Sequence, residues 1–235
     1  MIAVGHQPNY LPYLGIFAKV AQADVFVIVN NVQFVKRGRF GFQNRTRIRT
    51  HEGWAWLTVP VLSKGKYHQQ ISETKINNAA PWRRKHWRSI QLNYRSAPCF
   101  EEYAGFLEAL YQNESFGFLQ DLNIKIIRYL LSALRIDVDV LIATEAGIQG
   151  KATDLIIDIC KKTGADTYLH GKHGADYADF AGIESAGIKN LVLDYEHPTY
   201  EQCHPGFEPY MSAVDLLFNH GERSLEVLLE GNRIV

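Results

Sequence analysis

Apolar and polar positions along this chain change their period several times, and each change predicts an element. The opening Ile2-Ala3-Val4, ending at Gly5, is apolar enough for a strand. After a loop punctuated by Pro8 and Pro12 comes a short amphipathic segment over 15–23, then the strand-like run DVFVIVN over 24–30. Strand, helix and strand in that order make a βαβ opening, which sets the two strands parallel. Residues 54–61 (WAWLTVPV) and 70–76 (QISETKI) alternate on either side of a turn-like SKGKYHQ, and predict a hairpin inserted after that unit. Pro81 suits the first turn of a helix over 82–92. Within 116–134, Leu119, Leu122, Ile126, Leu130 and Leu134 recur at steps of three and four, the buried stripe of a long helix.

The last third repeats an αβ rhythm: strand 138–143, helix 153–163, strand 166–169, helix 174–186 and strand 190–195. Thr153 is placed to cap its helix and Gly164 to end it. Strands separated by crossover helices imply a mostly parallel, Rossmann-like α/β sheet covered by helices on both faces. The expected organisation is one domain over 1–235, carrying 50–135 as an inserted β-hairpin and helical segment. No repeat, low-complexity stretch or linker marks a second domain.

Composition changes this picture only a little. Three cysteines, Cys99, Cys160 and Cys203, stand far apart with no CxxC pair, which favours a reducing compartment. The first residues carry neither a basic leader nor a membrane-length apolar run, so a cytoplasmic protein without membrane insertion is expected. The 25 basic and 25 acidic residues cancel, which argues against non-specific nucleic-acid binding. Charge is nevertheless uneven: Lys36, Arg37, Arg39, Arg45, Arg47 and Arg49 occur with no acid between them. Such a run is either a solvated face or an anion site.

Candidate chemistry gathers in loops that follow predicted strands, where open parallel sheets bind ligands. In the first loop His6, Gln7, Asn9 and Tyr10 supply polar groups between two stiffening prolines. The second, 30–48, offers guanidinium groups that match phosphate or carboxylate oxygens. Its interleaved Phe34, Phe40 and Phe42 admit an RNA reading, weakened by the absence of an extended basic track. The third, 164–174, sets Gly171 and Gly174 around Lys172 and His173 as an anion-holding turn. In the fourth, His197 is either a loop-orienting side chain or an acid-base group. Ser212 and Asp215 look first like a helix cap and second like a functional pair. There is no HExxH or other reliable metal-ligand spacing, no G-x-S-x-G elbow, no Walker lysine loop and no GxGxxG fingerprint.

Several segments in order resemble the WbqC-like protein family: HQPNYLPYLGIFAK (6–19), NNVQF (30–34), FQNRTRIRT (42–50), PWRRKHWRSIQLNY (81–94), GADTYLHGKHGADYAD (164–179), HPTYEQ (197–202) and MSAVDLLFNHG (211–221). His170 stands where the family pattern has a small residue such as serine, and Asn31 where it has an acid. The resemblance implies a transferase in surface-polysaccharide (O-antigen) synthesis that moves a glycine-like or other acyl group onto a nucleotide-linked amino sugar. His6 or His197 would be the base. The substrate-binding set it implies is Gln7, Asn9, Tyr10, Lys19, Asn31, Gln33, Lys36, Arg39, Asn44, Arg45, Arg47, Tyr168, Gly171, Lys172, Tyr177, Tyr200, Gln202, Ser212 and Asp215. The opening strand, loop and helix is also similar to the HUP nucleotide-binding superfamily, although Leu14, Gly15 and Ile16 replace the second histidine of its HxGH signature. That likeness supports a second enzyme reading, activation of a small carboxylate by adenylyl transfer with ATP and magnesium. A third makes the protein a non-catalytic sensor of nucleotide-sugar or RNA.

Overall fold

The computed structural model describes residues 1–36, 38 and 41–235. In chain order its elements are β1 (Ile2–His6), α1 (Leu14–Val20), β2 (Val25–Ile28), β3 (Arg45–Thr50), β4 (Gly53–Thr58), α2 (Trp82–Tyr94), α3 (Phe100–Gln112), α4 (Leu119–Ala133), β5 (Asp139–Ile142), α5 (Ala152–Thr163), β6 (Thr167–Gly171), α6 (Phe180–Ser185), β7 (Lys189–Asp194), α7 (Ala213–His220), α8 (Ser224–Leu229) and β8 (Arg233–Ile234). The central sheet runs β5-β2-β1-β6-β7-β8, and a separate sheet holds only β3 and β4. All neighbours in the large sheet are parallel except β8, which pairs antiparallel with β7. This is the mostly parallel α/β sheet the strand and helix rhythm predicts.

Alternation along the strands divides the core between two faces, because successive side chains point to opposite sides of a sheet. Val4, Phe26, Leu169 and Leu193 pack with α1, α7, α8 and the inserted helices. Ala3, Val25, Val27 and Tyr168 pack instead with Ile156 and Ile159 of α5 and Ile183 of α6. The stripe foreseen on α4 is buried as expected, Leu119, Leu122, Ile126 and Leu130 all being 0% exposed. No helix among the described residues is long and apolar enough to cross a membrane.

Three local expectations are corrected. The hairpin pairs β3 with β4, Arg45 opposite Thr58 through Thr50 opposite Gly53, so it begins before residue 50. Residues 70–76 hold only a 3-10 turn at Ile71–Glu73 and isolated bridges such as Val61 to Ile76. The alternation of RTRIRT was hidden because its outward residues are arginines, which reads as a charged loop. The guanidinium groups of Arg45 and Arg47 lie on tryptophan rings, whereas that of Arg49 is buried against Gln202 and the Thr50, Gly53 and Pro205 carbonyls, so this face of the hairpin is covered without being apolar. The helix expected over 174–186 is broken into a 3-10 turn at Gly174–Asp176 and the short α6, because Tyr177 leaves helical backbone at φ −137°. Thr153 does not cap α5, whose N-cap is Lys151; its hydroxyl accepts the Asp179 N–H at 2.9 Å. Gly164 does end α5 in the left-handed region, at φ +73°.

Candidate active site

Numbered among themselves, the parallel strands lie in the order 3-2-1-4-5, which reverses between β1 and β6. Such a reversal sends the two following connections to opposite faces and leaves a crevice at the strand C-termini. Here the strands also part physically. The β1 and β2 pair is in register over four residues, Ala3 to His6, whereas β1 and β6 pair only at Ile2 and Ala3. Beyond that point the backbone of Gly5 is satisfied by side chains. Its N–H donates to the Tyr168 hydroxyl at 3.2 Å, and its carbonyl accepts from the Lys19 ammonium at 3.0 Å. A side chain at position 5 would put its Cβ 3.0 Å from both the Tyr168 oxygen and Ile159, so anything larger than glycine would have to push these neighbours back.

His6 ends β1 at this opening. Its Nδ1–H donates to the Gln7 carbonyl at 2.8 Å, and a carbonyl can only accept, so the neutral ring carries its lone pair on Nε2. Burial, helped by the neighbouring Lys19 charge and opposed by the Gln7 bond, lowers the imidazole to about 4. Lys19 itself is buried, and desolvation lowers its ammonium from 10.5 to about 8. It forms no ion pair with a carboxylate among the described residues. An unpaired buried cation beside a neutral imidazole is an arrangement that favours an incoming anion.

Across the crevice, His170 of β6 is fully buried. Its Nε2–H donates to Asn190 Oδ1 at 2.8 Å, whose amide nitrogen is turned toward Phe180 and Glu184. Nδ1 is left without a partner. Burial lowers this imidazole too. The ring occupies space that only Gly174 leaves free, since a Cβ there would lie 2.8 Å from Nδ1. Gly171 closes β6, Lys172 pairs with Asp194 at 3.1 Å, and Tyr177 is exposed beside Tyr168.

The basic segment does reach the first loop. Gln43 donates to the Gln7 side chain at 2.5 Å, the Tyr10 N–H donates to the Phe42 carbonyl at 3.3 Å, and Asn123 binds the carbonyls of both Pro8 and Gln43. Gln43 lay outside the expected set, though inside the FQNRTRIRT segment. The guanidinium of Arg45 lies 4.4 Å over Trp56 and that of Arg47 4.3 Å over Trp54, and neither has a carboxylate partner among the described residues. Lys36 is exposed; Arg39, with Arg37 and Phe40, falls outside the described residues.

Residues 7–227 match the WbqC-like protein family. The chain is also 34% identical to "Uncharacterized protein Rv1507c" of Mycobacterium tuberculosis (strain ATCC 25618 / H37Rv) over 223 residues, 94% of this chain and 95% of the other. The chain belongs to the WbqC-like protein family. No solved structure matches it.

Not every residue that the family resemblance nominated lies at the crevice. Tyr10 is 0% exposed and bonds His86 and Tyr111 within the inserted helices. Asn44 ties the hairpin to Val59, Asn31 bonds the Ile148 carbonyl, and Gln33 the Tyr67 carbonyl. Asn9 is buried with Oδ1 unpartnered. Tyr200 and Gln202 both donate to Asp215 Oδ2 at 2.8 Å, in a buried network that Arg49 joins through Gln202. Ser212 caps α7 through the Val214 N–H, but its own N–H goes to the Arg47 carbonyl, so Asp215 does not complete a capping box. His197 has both nitrogens engaged, Nδ1–H donating to the Pro198 carbonyl at 2.8 Å and Nε2 accepting the Tyr210 N–H at 3.0 Å. That leaves its ring no free lone pair.

Two other features fall short of a site. An open hollow of about 330 Å³ beside β2 and β5 is lined by Asn30, Gln120, Lys125, Arg128 and Glu145. Its floor, the Asn30 amide, is fully bonded to Gln120 and Thr144, its Lys125 pairs with Glu114, and its remaining charges are of both signs. Among the described residues no group of three or more His, Cys, Asp or Glu could hold a metal ion.

Proposed function

We propose that the protein transfers an acyl or aminoacyl group, glycine-like in size, onto the amino group of a nucleotide-linked sugar, using the crevice between β1 and β6. Membership of the WbqC-like family suggests a role in polysaccharide or surface biosynthesis and is consistent with an enzyme. The observation that carries the reading is the pairing of a neutral His6, whose Nε2 has no hydrogen-bond partner among the described residues, with a buried Lys19 that has no carboxylate partner among them, where the strands part.

Each group has a defined task in such a transfer. The Lys19 ammonium attracts the diphosphate, aided by Lys36, Arg45 and Arg47 on the adjoining segment. His6 Nε2 takes the proton from the acceptor amine as its nitrogen attacks the acyl carbon. The new C–N bond forms, the bond to the donor's leaving group breaks, and His6 returns the proton to that group. Backbone N–H groups near Gly171 are the candidates for holding the oxyanion. An imidazole near 4 is a weak base, but a bound diphosphate compensates the Lys19 charge that helps depress it, so basicity rises when substrate arrives.

Thermal-shift measurement with nucleotides and nucleotide-linked amino sugars tests the substrate class, since a ligand at about 100 times its Kd stabilises by about 2.7 kcal/mol. With the substrate found, His6→Ala should lower kcat by about two to four decades while KM changes little. Full turnover in that variant refutes the assignment of His6. Pyrophosphate release from ATP and a carboxylate, with no amine acceptor needed, refutes direct acyl transfer in favour of adenylyl chemistry.

A further inference from the structure

We propose that Tyr13, Tyr195 and Tyr210 form a cup for the flat base of a nucleotide, on the β7 side of the crevice rim. The inference rests on reading the crevice as a nucleotide-sugar site and names the part of the ligand that the charged groups leave unrecognised. Tyr13 ends the loop that follows β1, and Tyr195 is the first residue after β7. Their rings meet edge to face, 6.3 Å between centroids at 84°. Tyr210 reaches the same place through His197, ring to ring at 5.0 Å, and His197 lies 6.0 Å from Tyr195.

Three features are costly if the cluster only fills space. The Tyr195 hydroxyl is buried with no hydrogen-bond partner, where phenylalanine would fill the same volume without that penalty. Tyr210 holds a left-handed backbone, φ +61°, fixed by its N–H bond to His197. Tyr13 lies across Gly15, where any Cβ would sit 2.7 Å from its ring. Tyr13 and Tyr210 remain 37% and 54% exposed, so the cup opens to solvent, and on this proposal a bound base displaces one of these rings to reach the buried Tyr195 oxygen.

Walls at right angles suit a flat heterocycle. Its face packs on one ring while its in-plane nitrogen and oxygen edge meets a phenol, which both donates and accepts. Beyond its own tyrosines the cup's ring contact is His197, which in turn meets Phe207, and the adjacent Asp194 is occupied by Lys172.

The test compares wild type, Tyr195→Phe, Tyr210→Gly and Lys19→Met by calorimetric titration with uridine, adenosine, their 5′-diphosphates and N-acetylglucosamine. Tyr195→Phe should raise the Tm of the free protein by about 2–4 °C while weakening nucleosides and nucleoside diphosphates alike by about tenfold. Tyr210→Gly, which relieves the backbone strain, should weaken the same ligands without loss of stability. Lys19→Met should weaken only the diphosphates. Unchanged nucleoside affinity in both tyrosine variants overturns the cup, as does a loss confined to N-acetylglucosamine, or no nucleoside binding to wild type at about 10 mM. If Lys19→Met still weakens the diphosphates in that case, the crevice reading survives alone; if no variant affects them, both fall.

Discussion

Replacing Lys19 with methionine separates what the buried ammonium costs from what its hydrogen bond contributes. Lowering a lysine from 10.5 to about 8 means that the charged form is disfavoured in the folded chain by roughly 3 kcal/mol, at 1.36 kcal/mol per unit. Because the unfolded chain binds more protons between those two values, the wild type gains stability as pH rises through that window. Methionine has no such term. It does leave the Gly5 carbonyl without a donor, at a cost of about 1–3 kcal/mol. At pH 7 these contributions nearly offset, and the variant should match the wild type to within about 2 kcal/mol. Between pH 7 and 9.5 the wild type should gain about 2 kcal/mol relative to Lys19→Met. Urea unfolding of both proteins at matched pH values, followed by tryptophan fluorescence, measures the difference. Parallel stability curves would refute the claim that a desolvated, unpaired cation sits at the crevice. The same ionisation sets the binding profile: diphosphate affinity should fall as pH rises through about 8 in wild type and be flat in the variant.

Two further changes probe the supporting structure. Gly174→Ala would drive a Cβ to 2.5 Å from that of His170 and should destabilise by about 1–3 kcal/mol; adding His170→Ser, which removes the ring but keeps that Cβ, should recover only part of that loss, which a double-mutant cycle in urea would measure. Asp215→Ala strands the Tyr200 hydroxyl and the Gln202 amide and should cost about 3 kcal/mol or more, whereas Asp215→Asn, which keeps an acceptor, should be milder; thermal unfolding distinguishes them.

The candidate site was legible in part. His6 and Gly171 end β1 and β6 and Lys172 follows, so the loop-after-strand rule, which depends only on chain direction in a parallel sheet, does place them at the C-terminal edge of the sheet. Lys19 was reached through the quoted HQPNYLPYLGIFAK segment, not through any local sign that its ammonium would be buried. Tyr200, Gln202, Ser212 and Asp215 lie in polar segments that look like exposed loops, yet they satisfy one another inside the molecule. A donor-rich loop and a buried polar network have the same composition; they differ in whether partners arrive from elsewhere in the chain.

What the residues settled on their own was periodicity: which stretches form strands and helices, and that the sheet is mostly parallel, because side-chain spacing and turn residues act over a few positions. Tertiary structure decided the hairpin's true partners, since RTRIRT becomes a strand only when tryptophans cover its arginines. It also decided that β1 and β6 separate at Gly5, and that the nitrogens of His197 are consumed by backbone groups while Nε2 of His6 has no partner among the described residues. Those outcomes depend on atoms distant in sequence, and hydrogen-bond competition between such groups leaves no trace in local pattern.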